Sequence, residues 1–254
     1  MVSNGRGIPP YRYAEYIEIL QEKASSNCSV SQFKLASYYH YGQFGLSVDH
    51  KEAIRWYEKS AQQNNVNAMN NLGTIYERSD QVPRDETLAA KYYTEAIKAN
   101  PTFAPAAINL ADLYMKGLGV NKDLSEALRL LQSVESLDPD AKAALARLYA
   151  SGEEGFNDPA KVQEYQKAAA DAGSIVALRD LAQGATGPEA VQYLHEAATA
   201  GDISSQIALG KDSSEKGNFP DALYWYHQAA CKGNLEGLEL LVQLGHQVEN
   251  ALFS

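Results

Sequence analysis

The sequence predicts an all-α repeat solenoid of about six helix–loop–helix units. Three observations lead there: helix starts at a regular interval, a shared bulky-then-small pattern after each start, and a second helical pattern before it. The starts pair a small polar residue with Ala four positions later: Asp49 with Ala53, Asp85 with Ala89, Asp123 with Ala127, Thr186 with Ala190, and Asn218 with Ala222. In one further copy Asn157 precedes Lys161, so that unit departs from the pattern. Successive caps fall 29 to 38 residues apart.

Each element follows from side-chain chemistry. Asp, Asn and Thr accept hydrogen bonds from the unpaired N–H groups of a helix start. Glu52, Glu126 and Glu189 sit three residues after their caps and predict capping boxes. Pro159, Pro188 and Pro220 fall in the first turn, where a missing N–H costs nothing. Bulky pairs come next: Trp56-Tyr57, Tyr92-Tyr93, Leu130-Leu131, Tyr165 alone, Tyr193-Leu194 and Trp225-Tyr226. Small residues follow on the same helical face and let a neighbouring helix approach. Before each cap, Leu35, Leu72, Leu110 and Leu145 are each followed four residues later by Tyr, with weaker copies from Leu178 and Leu209. Glycine-bearing loops join the two helices, except in the second unit, where Ser79 to Pro83 replaces them.

The ends read as seals. Tyr13, Tyr16, Ile17 and Leu20 form an i, i+3, i+4, i+7 stripe suited to covering the first unit, and Leu238, Leu241, Val242 and Leu244 are expected to pack on the sixth. The expected domains are a leading segment and capping helix over residues 1–29, the repeat array over 30–234, and a C-terminal half-repeat over 235–254.

Composition narrows the function. A net charge of −10 lacks the basic face that displaces counterions from nucleic acid, so no nucleic-acid partner is expected. No run reaches the roughly 18 apolar residues of a spanning helix, so membrane insertion is not expected either. The opening ten residues carry no apolar leader core, and the two cysteines, Cys28 and Cys231, lie far apart in sequence. Both features point to a reducing, cytoplasmic setting, or a periplasmic one if a leader was removed.

Chemistry-bearing motifs are weak. His195-Glu196 resembles half of a zinc-protease helix, but Thr199 stands at the second ligand position. Gly117-Leu-Gly119 looks like the start of a nucleotide loop, yet Lys122 replaces the third glycine and a helix precedes it, so an interhelical turn is expected. No nucleophile elbow or recognised Cys/His constellation is read. The expectation is no catalytic residue, no metal and no cofactor.

Taken together, Ala68 to Tyr76, Leu110 to Ala127 and Asp49 to Ala61 resemble the Sel-one-like repeat, a longer-looped relative of the tetratricopeptide repeat. The resemblance covers roughly residues 30 to 234. It implies a right-handed α/α superhelix whose first helices line a concave face. It also implies that this face meets a protein or peptide through Phe33, Lys34, Tyr41, Asn67, Asn70, Asn71, Thr74, Arg78, Asn109, Asp112 and Met115. One position runs Lys34, Asn71, Asn109 and then Ala144, Ala177, Ala208, a switch from polar to Ala. An Asn amide both donates to and accepts from an extended backbone. The function expected is a protein-binding scaffold or adaptor. The alternative is an immunity-type inhibitor that neutralises one toxin or enzyme.

Overall fold

The computed structural model describes residues 8–253, with side chains to residue 246. The leader reading and the last turns of the C-terminal half-repeat rest partly on residues outside that range. Fourteen α-helices make up the described residues, with no strand. The chain divides between Leu137 and Asp138 into two compact units. The first holds α1 (Tyr13–Ser25), α2 (Ser29–Tyr41), α3 (His50–Ala61), α4 (Val66–Arg78), α5 (Glu86–Ala99), α6 (Ala104–Lys116) and α7 (Leu124–Gln132). The second holds α8 (Pro139–Tyr149), α9 (Pro159–Asp171), α10 (Ile175–Gly184), α11 (Pro188–Thr199), α12 (Ile203–Glu215), α13 (Phe219–Cys231) and α14 (Leu235–Phe253). Within each unit, every helix packs on the next in sequence. No helix among the described residues is long and apolar enough to cross a membrane.

The helix starts behave as their side chains dictate, with a different second contact from the one expected. Asp49, Asp85 and Asp123 each accept N–H bonds from the first turn of their own helix. The glutamates do not reach back to complete capping boxes. Glu52 pairs with Arg55 and Glu126 with Arg129. The N–H of the cap residue goes instead to the preceding helix: Asp49 donates to Tyr39 O at 2.9 Å, Asp85 to Tyr76 O at 2.9 Å and Asp123 to Tyr114 O at 3.1 Å. Each loop is thereby closed at its base.

Two starts lie one residue later than the sequence suggests. Asp158, not Asn157, caps α9, accepting from Ala160 and Lys161 and donating to Tyr149 O at 3.3 Å. Gly187, not Thr186, precedes α11, and no side chain caps that helix. The fifth bulky pair remains Tyr193-Leu194, with Tyr193 packed against Ala169, Leu178 and Ala197 and Leu194 against Ala198 and Leu209. Asn218 does precede α13, but its side chain bonds Asp221 rather than a backbone N–H.

The bulky pairs divide their labour. The first member faces the tyrosine that ends the preceding helix: Tyr92 stacks on Tyr76 at 5.9 Å and 7°, and Tyr165 on Tyr149 at 5.9 Å and 4°. Trp56 packs beside Tyr39 and is covered by the Lys59 ammonium, 4.0 Å above its ring. Its second-unit counterpart, Trp225, packs against Ala198 and Leu209. The second member runs under the first helix, and Tyr57 and Tyr93 are fully buried. Gly73 makes room for that: a Cβ there would lie 2.5 Å from the Tyr93 ring. Ala53, Ala89, Ala127 and Ala222 are likewise fully buried at their helix crossings.

The loops have their own logic. Gly119 combines φ +67° with an approach in which a Cβ would sit 2.2 Å from the Glu86 backbone. The Gly117-Leu-Gly119 segment is thus an interhelical turn held against the start of α5. In the second loop, Ser79 Oγ accepts from the N–H groups of Gln81 and Val82, making with a hydroxyl the turn that glycines make elsewhere. At the C-terminal end the packed stripe is Gly237, Leu240, Leu241 and Leu244, which meets α13 at Ala222, Tyr226 and Ala229. Leu238 and Val242, expected to pack there, are about half exposed at 48% and 51%.

Two stability measurements follow. In chemical denaturation Asp158→Ala is expected to cost about 1 kcal/mol and Asn157→Ala close to nothing; equal costs would restore the earlier register. Gly119→Ala must either strain a left-handed backbone or push α5 away. It is expected to destabilise by about 1–3 kcal/mol.

Candidate protein-binding face

The first helices of the first unit bring several of the predicted residues together through the buried tyrosines. The Tyr57 ring crosses under α2, and its hydroxyl emerges among polar side chains. It lies 3.0 Å from Ser37 Oγ and 3.5 Å from His40 Nδ1, and it accepts from Asn71 Nδ2 at 2.9 Å. Phe33 stands over the Tyr57 ring at 5.7 Å. Burial pushes the Tyr57 phenol up to about 12, so it stays a neutral donor and acceptor. His40 stacks on Tyr41 at 4.2 Å and 16°, which presents the exposed Tyr41 ring as a flat platform. Burial, with the nearby His50 second, pulls the His40 imidazole down to about 4, so the platform rests on an uncharged ring.

The next unit repeats the device with different chemistry. Tyr93 OH donates to Glu77 Oε2 at 2.8 Å and lies 3.4 Å from Thr74 Oγ1. Glu77 also holds Arg78, Nε to Oε1 at 3.0 Å. Burial first, then the neighbouring Glu77 carboxylate, raises the Tyr93 phenol well above its ordinary value. In the third unit Leu131 replaces the tyrosine, and no hydroxyl emerges. Asn109 reaches across instead, donating from Nδ2 to Asn70 Oδ1 at 3.1 Å, while Asp112 pairs with Lys116 one turn on.

Eight of the eleven predicted residues therefore stand in or beside four groups of contacts. Asn71 and Phe33 meet Tyr57, and Tyr41 meets His40. Thr74 and, through Glu77, Arg78 meet Tyr93; Asn70 joins Asn109; Asp112 holds Lys116. Lys34, Asn67 and Met115 make no side-chain hydrogen bond or ion pair among the described residues. The bulky-pair pattern does not single out the hydroxyls of Tyr57 and Tyr93, although a ring carrying a hydroxyl where the third repeat has Leu131 is a visible signal. In the second compact unit the position that holds Lys34, Asn71 and Asn109 in the first is filled by the buried Ala144 and Ala177, and by Ala208 beside Arg179, Gln183 and Ser204.

Comparison with known proteins agrees with this repeat arrangement. The Sel1 repeat family matches residues 29–65, 66–101, 104–133, 187–202 and 204–234, more than half of the chain. The unmatched stretch between includes α8 and α9, where Asp158 and Tyr149 nevertheless form the same loop-closing bond. The ERAD-associated E3 ubiquitin-protein ligase component HRD3B of Arabidopsis thaliana is 33% identical over 113 residues. The match spans 44% of this chain and only 17% of the plant protein. Cytochrome c oxidase assembly factor 7A of Xenopus laevis is 30% identical over 179 residues, 63% of this chain and 77% of that protein. A solved Sel1 repeat protein from Oxalobacter formigenes shares the fold with a TM-score of 0.62 and 24% identity, over 87% of this chain and 95% of that one. With its family match, its helix-pair packing and its recurring loop closure, the chain belongs to the Sel1 repeat family.

Proposed function

We propose that this protein is a non-catalytic adaptor that binds a segment of another protein on the face formed by α2, α4 and α6. The observation that carries the reading is the ladder of amides and hydroxyls on that face. Asn71 is oriented by the buried Tyr57 hydroxyl and Asn109 by Asn70, in successive first helices. Side chains already held in place lose little rotamer freedom on binding, so their hydrogen bonds to a peptide backbone contribute more net affinity. The Tyr41 ring at one end and Met115 at the other supply apolar anchors, and Arg78 suits an acidic group. The curated relatives carry names that speak of a ligase component and an assembly factor, which fits a role among other proteins.

The test is capture from native extract with wild-type protein and two double variants, read by quantitative mass spectrometry. Asn71→Ala with Asn109→Ala is expected to weaken retention of the specific partner by about 1–3 kcal/mol. Arg147→Ala with Lys211→Ala, on the first helices of the second unit, is expected to leave it unchanged. Losing Asn71 also removes a bond to Tyr57 and is expected to cost about 1 kcal/mol of stability, so the comparison is made well below the melting temperature. Loss of the partner only in the Arg147 and Lys211 variant would move the site to the second unit. Retention by both variants would remove the face altogether. Nanomolar affinity for a single enzyme would favour a dedicated inhibitor over an adaptor.

A further inference from the structure

The second unit has a cavity that the proposed binding face does not use. It lies between α10 and α12, and its volume of about 310 Å³ reaches the size range of small-ligand sites. Its walls are of two kinds. Ala182 of α10, Leu194 of α11 and Ala208 of α12 supply apolar surface, each partly buried. Arg179 and Gln183 of α10 and Ser204 of α12 supply polar groups. Ala208 stands where the first three repeats carry Lys34, Asn71 and Asn109, so the polar-to-Ala switch leaves this volume open. The polar side chains keep donors open as well. Gln183 and Ser204 make no side-chain hydrogen bond among the described residues. The Arg179 guanidinium has five N–H donors and meets one partner, Asp202, with Nη1 3.7 Å from Oδ1, too far for a hydrogen bond. Asp202 is engaged elsewhere: as the cap of α12, its Oδ2 accepts from Ser205 N–H at 2.9 Å and from Ser205 Oγ at 2.7 Å. The N-terminus of that helix offsets part of its charge. Asp202 thus steadies one edge of the guanidinium and leaves the other donors for a second acceptor.

We propose that this cavity receives an acidic side chain, glutamate, from a segment of a partner protein. The Arg179 fork donates two parallel N–H bonds to the carboxylate, the arrangement that makes such pairs both strong and directional. The Ser204 hydroxyl and the Gln183 amide donate beside it. The two methylenes of the glutamate lie along Ala182, Leu194 and Ala208, which is the reason for choosing the longer acidic residue. Gln183 and Ser204 are exposed, so the mouth of the cavity is at the surface. A segment running over that mouth inserts one side chain and keeps its backbone outside. The site uses none of the residues of the α2, α4 and α6 face and does not rest on that reading.

The experiment titrates the full isotope-labelled chain with three probes and follows its amide signals by NMR. The probes are a capped Ser/Ala peptide with one central glutamate, the same peptide with glutamine there, and free glutarate. The glutamate peptide is expected to bind with a Kd of about 1 mM, the strength of a single charge-assisted anchor, and to move the Ala182, Gln183 and Ala208 signals. The other two probes are expected to bind at least about tenfold more weakly. The glutamine amide cannot pair with the fork, and glutarate lacks the backbone and brings a second negative charge to a protein of net charge −10. Arg179→Gln and, separately, Ala208→Leu, which fills the cavity, are each expected to weaken the glutamate peptide at least about tenfold. Asn71→Ala with Asn109→Ala is expected to leave it unchanged, and circular dichroism checks that every variant is folded. Equal binding of the glutamate and glutamine peptides overturns the proposal, as does full-strength binding by the Arg179→Gln or Ala208→Leu variant. Equal binding of glutarate overturns it by making the ligand a free dicarboxylate, and absence of any saturable shift overturns it outright. Loss of the peptide in the Asn71 and Asn109 variant overturns it by moving the contact to the first unit.

Discussion

The fold turns on an aspartate that holds two helices at once. Its carboxylate satisfies the open N–H groups of the helix it starts, and its own N–H donates to a tyrosine carbonyl at the end of the helix before. The same tyrosines send their rings against the first bulky residue of the new helix, as in Tyr76 on Tyr92 and Tyr149 on Tyr165. Helix start, loop closure and helix packing thus meet in two residues nine or ten positions apart. The constraint is local, so it can be copied along a chain without regard to the rest of the sequence. Where the connection shortens to three residues, the bond persists between α12 and α13, with Asn218 donating to Ser213 O at 2.8 Å in place of a tyrosine carbonyl.

Much of this was legible in the sequence because each signal is a near-neighbour effect. Caps, first-turn prolines and the Leu-to-Tyr spacing depend on residues within a turn or two of each other. The misplacements are instructive. Asn157 and Asp158 both cap helices well, and only the tertiary demand for an N–H aimed at Tyr149 O selects the aspartate. Thr186 is a good cap residue set aside because Gly187, at φ 66°, turns the chain more sharply into α11. Two of the capping-box glutamates, Glu52 and Glu126, failed for a similar reason: an arginine three residues on offers a charged partner, and the N–H they would have served is already occupied. At the C-terminal end Leu238 and Val242 carry helical periodicity, but α14 turns Gly237, Leu240, Leu241 and Leu244 toward α13 instead.

The candidate binding face was only partly legible. Repeat position places a side chain on that face, and for most of the chosen residues this was enough to group them. It does not reveal what steadies them. The hydroxyls of Tyr57 and Tyr93 belong to residues whose rings are wholly interior, so a hydropathy pattern counts them as core and misses the polar tip. Tyr57 sets the direction of the Asn71 amide from beneath, while Tyr93 engages Glu77 and Thr74. The substitution of Leu131 in the third unit shows the cost of losing that support: Asn109 finds its bond on a neighbouring asparagine instead.

The two tryptophans, Trp56 and Trp225, occupy the same place in their repeats but lie on opposite sides of the division at Leu137 and Asp138. Their surroundings differ: one indole lies beneath an ammonium, the other against aliphatic side chains and the His195 ring. Each half of the molecule therefore contains its own intrinsic fluorophore with its own quenching environment. Replacing either indole by phenylalanine leaves an emission signal that belongs to one half alone. Whether the halves melt as a single cooperative block or in succession thereby becomes an optical question, answerable without attaching a label.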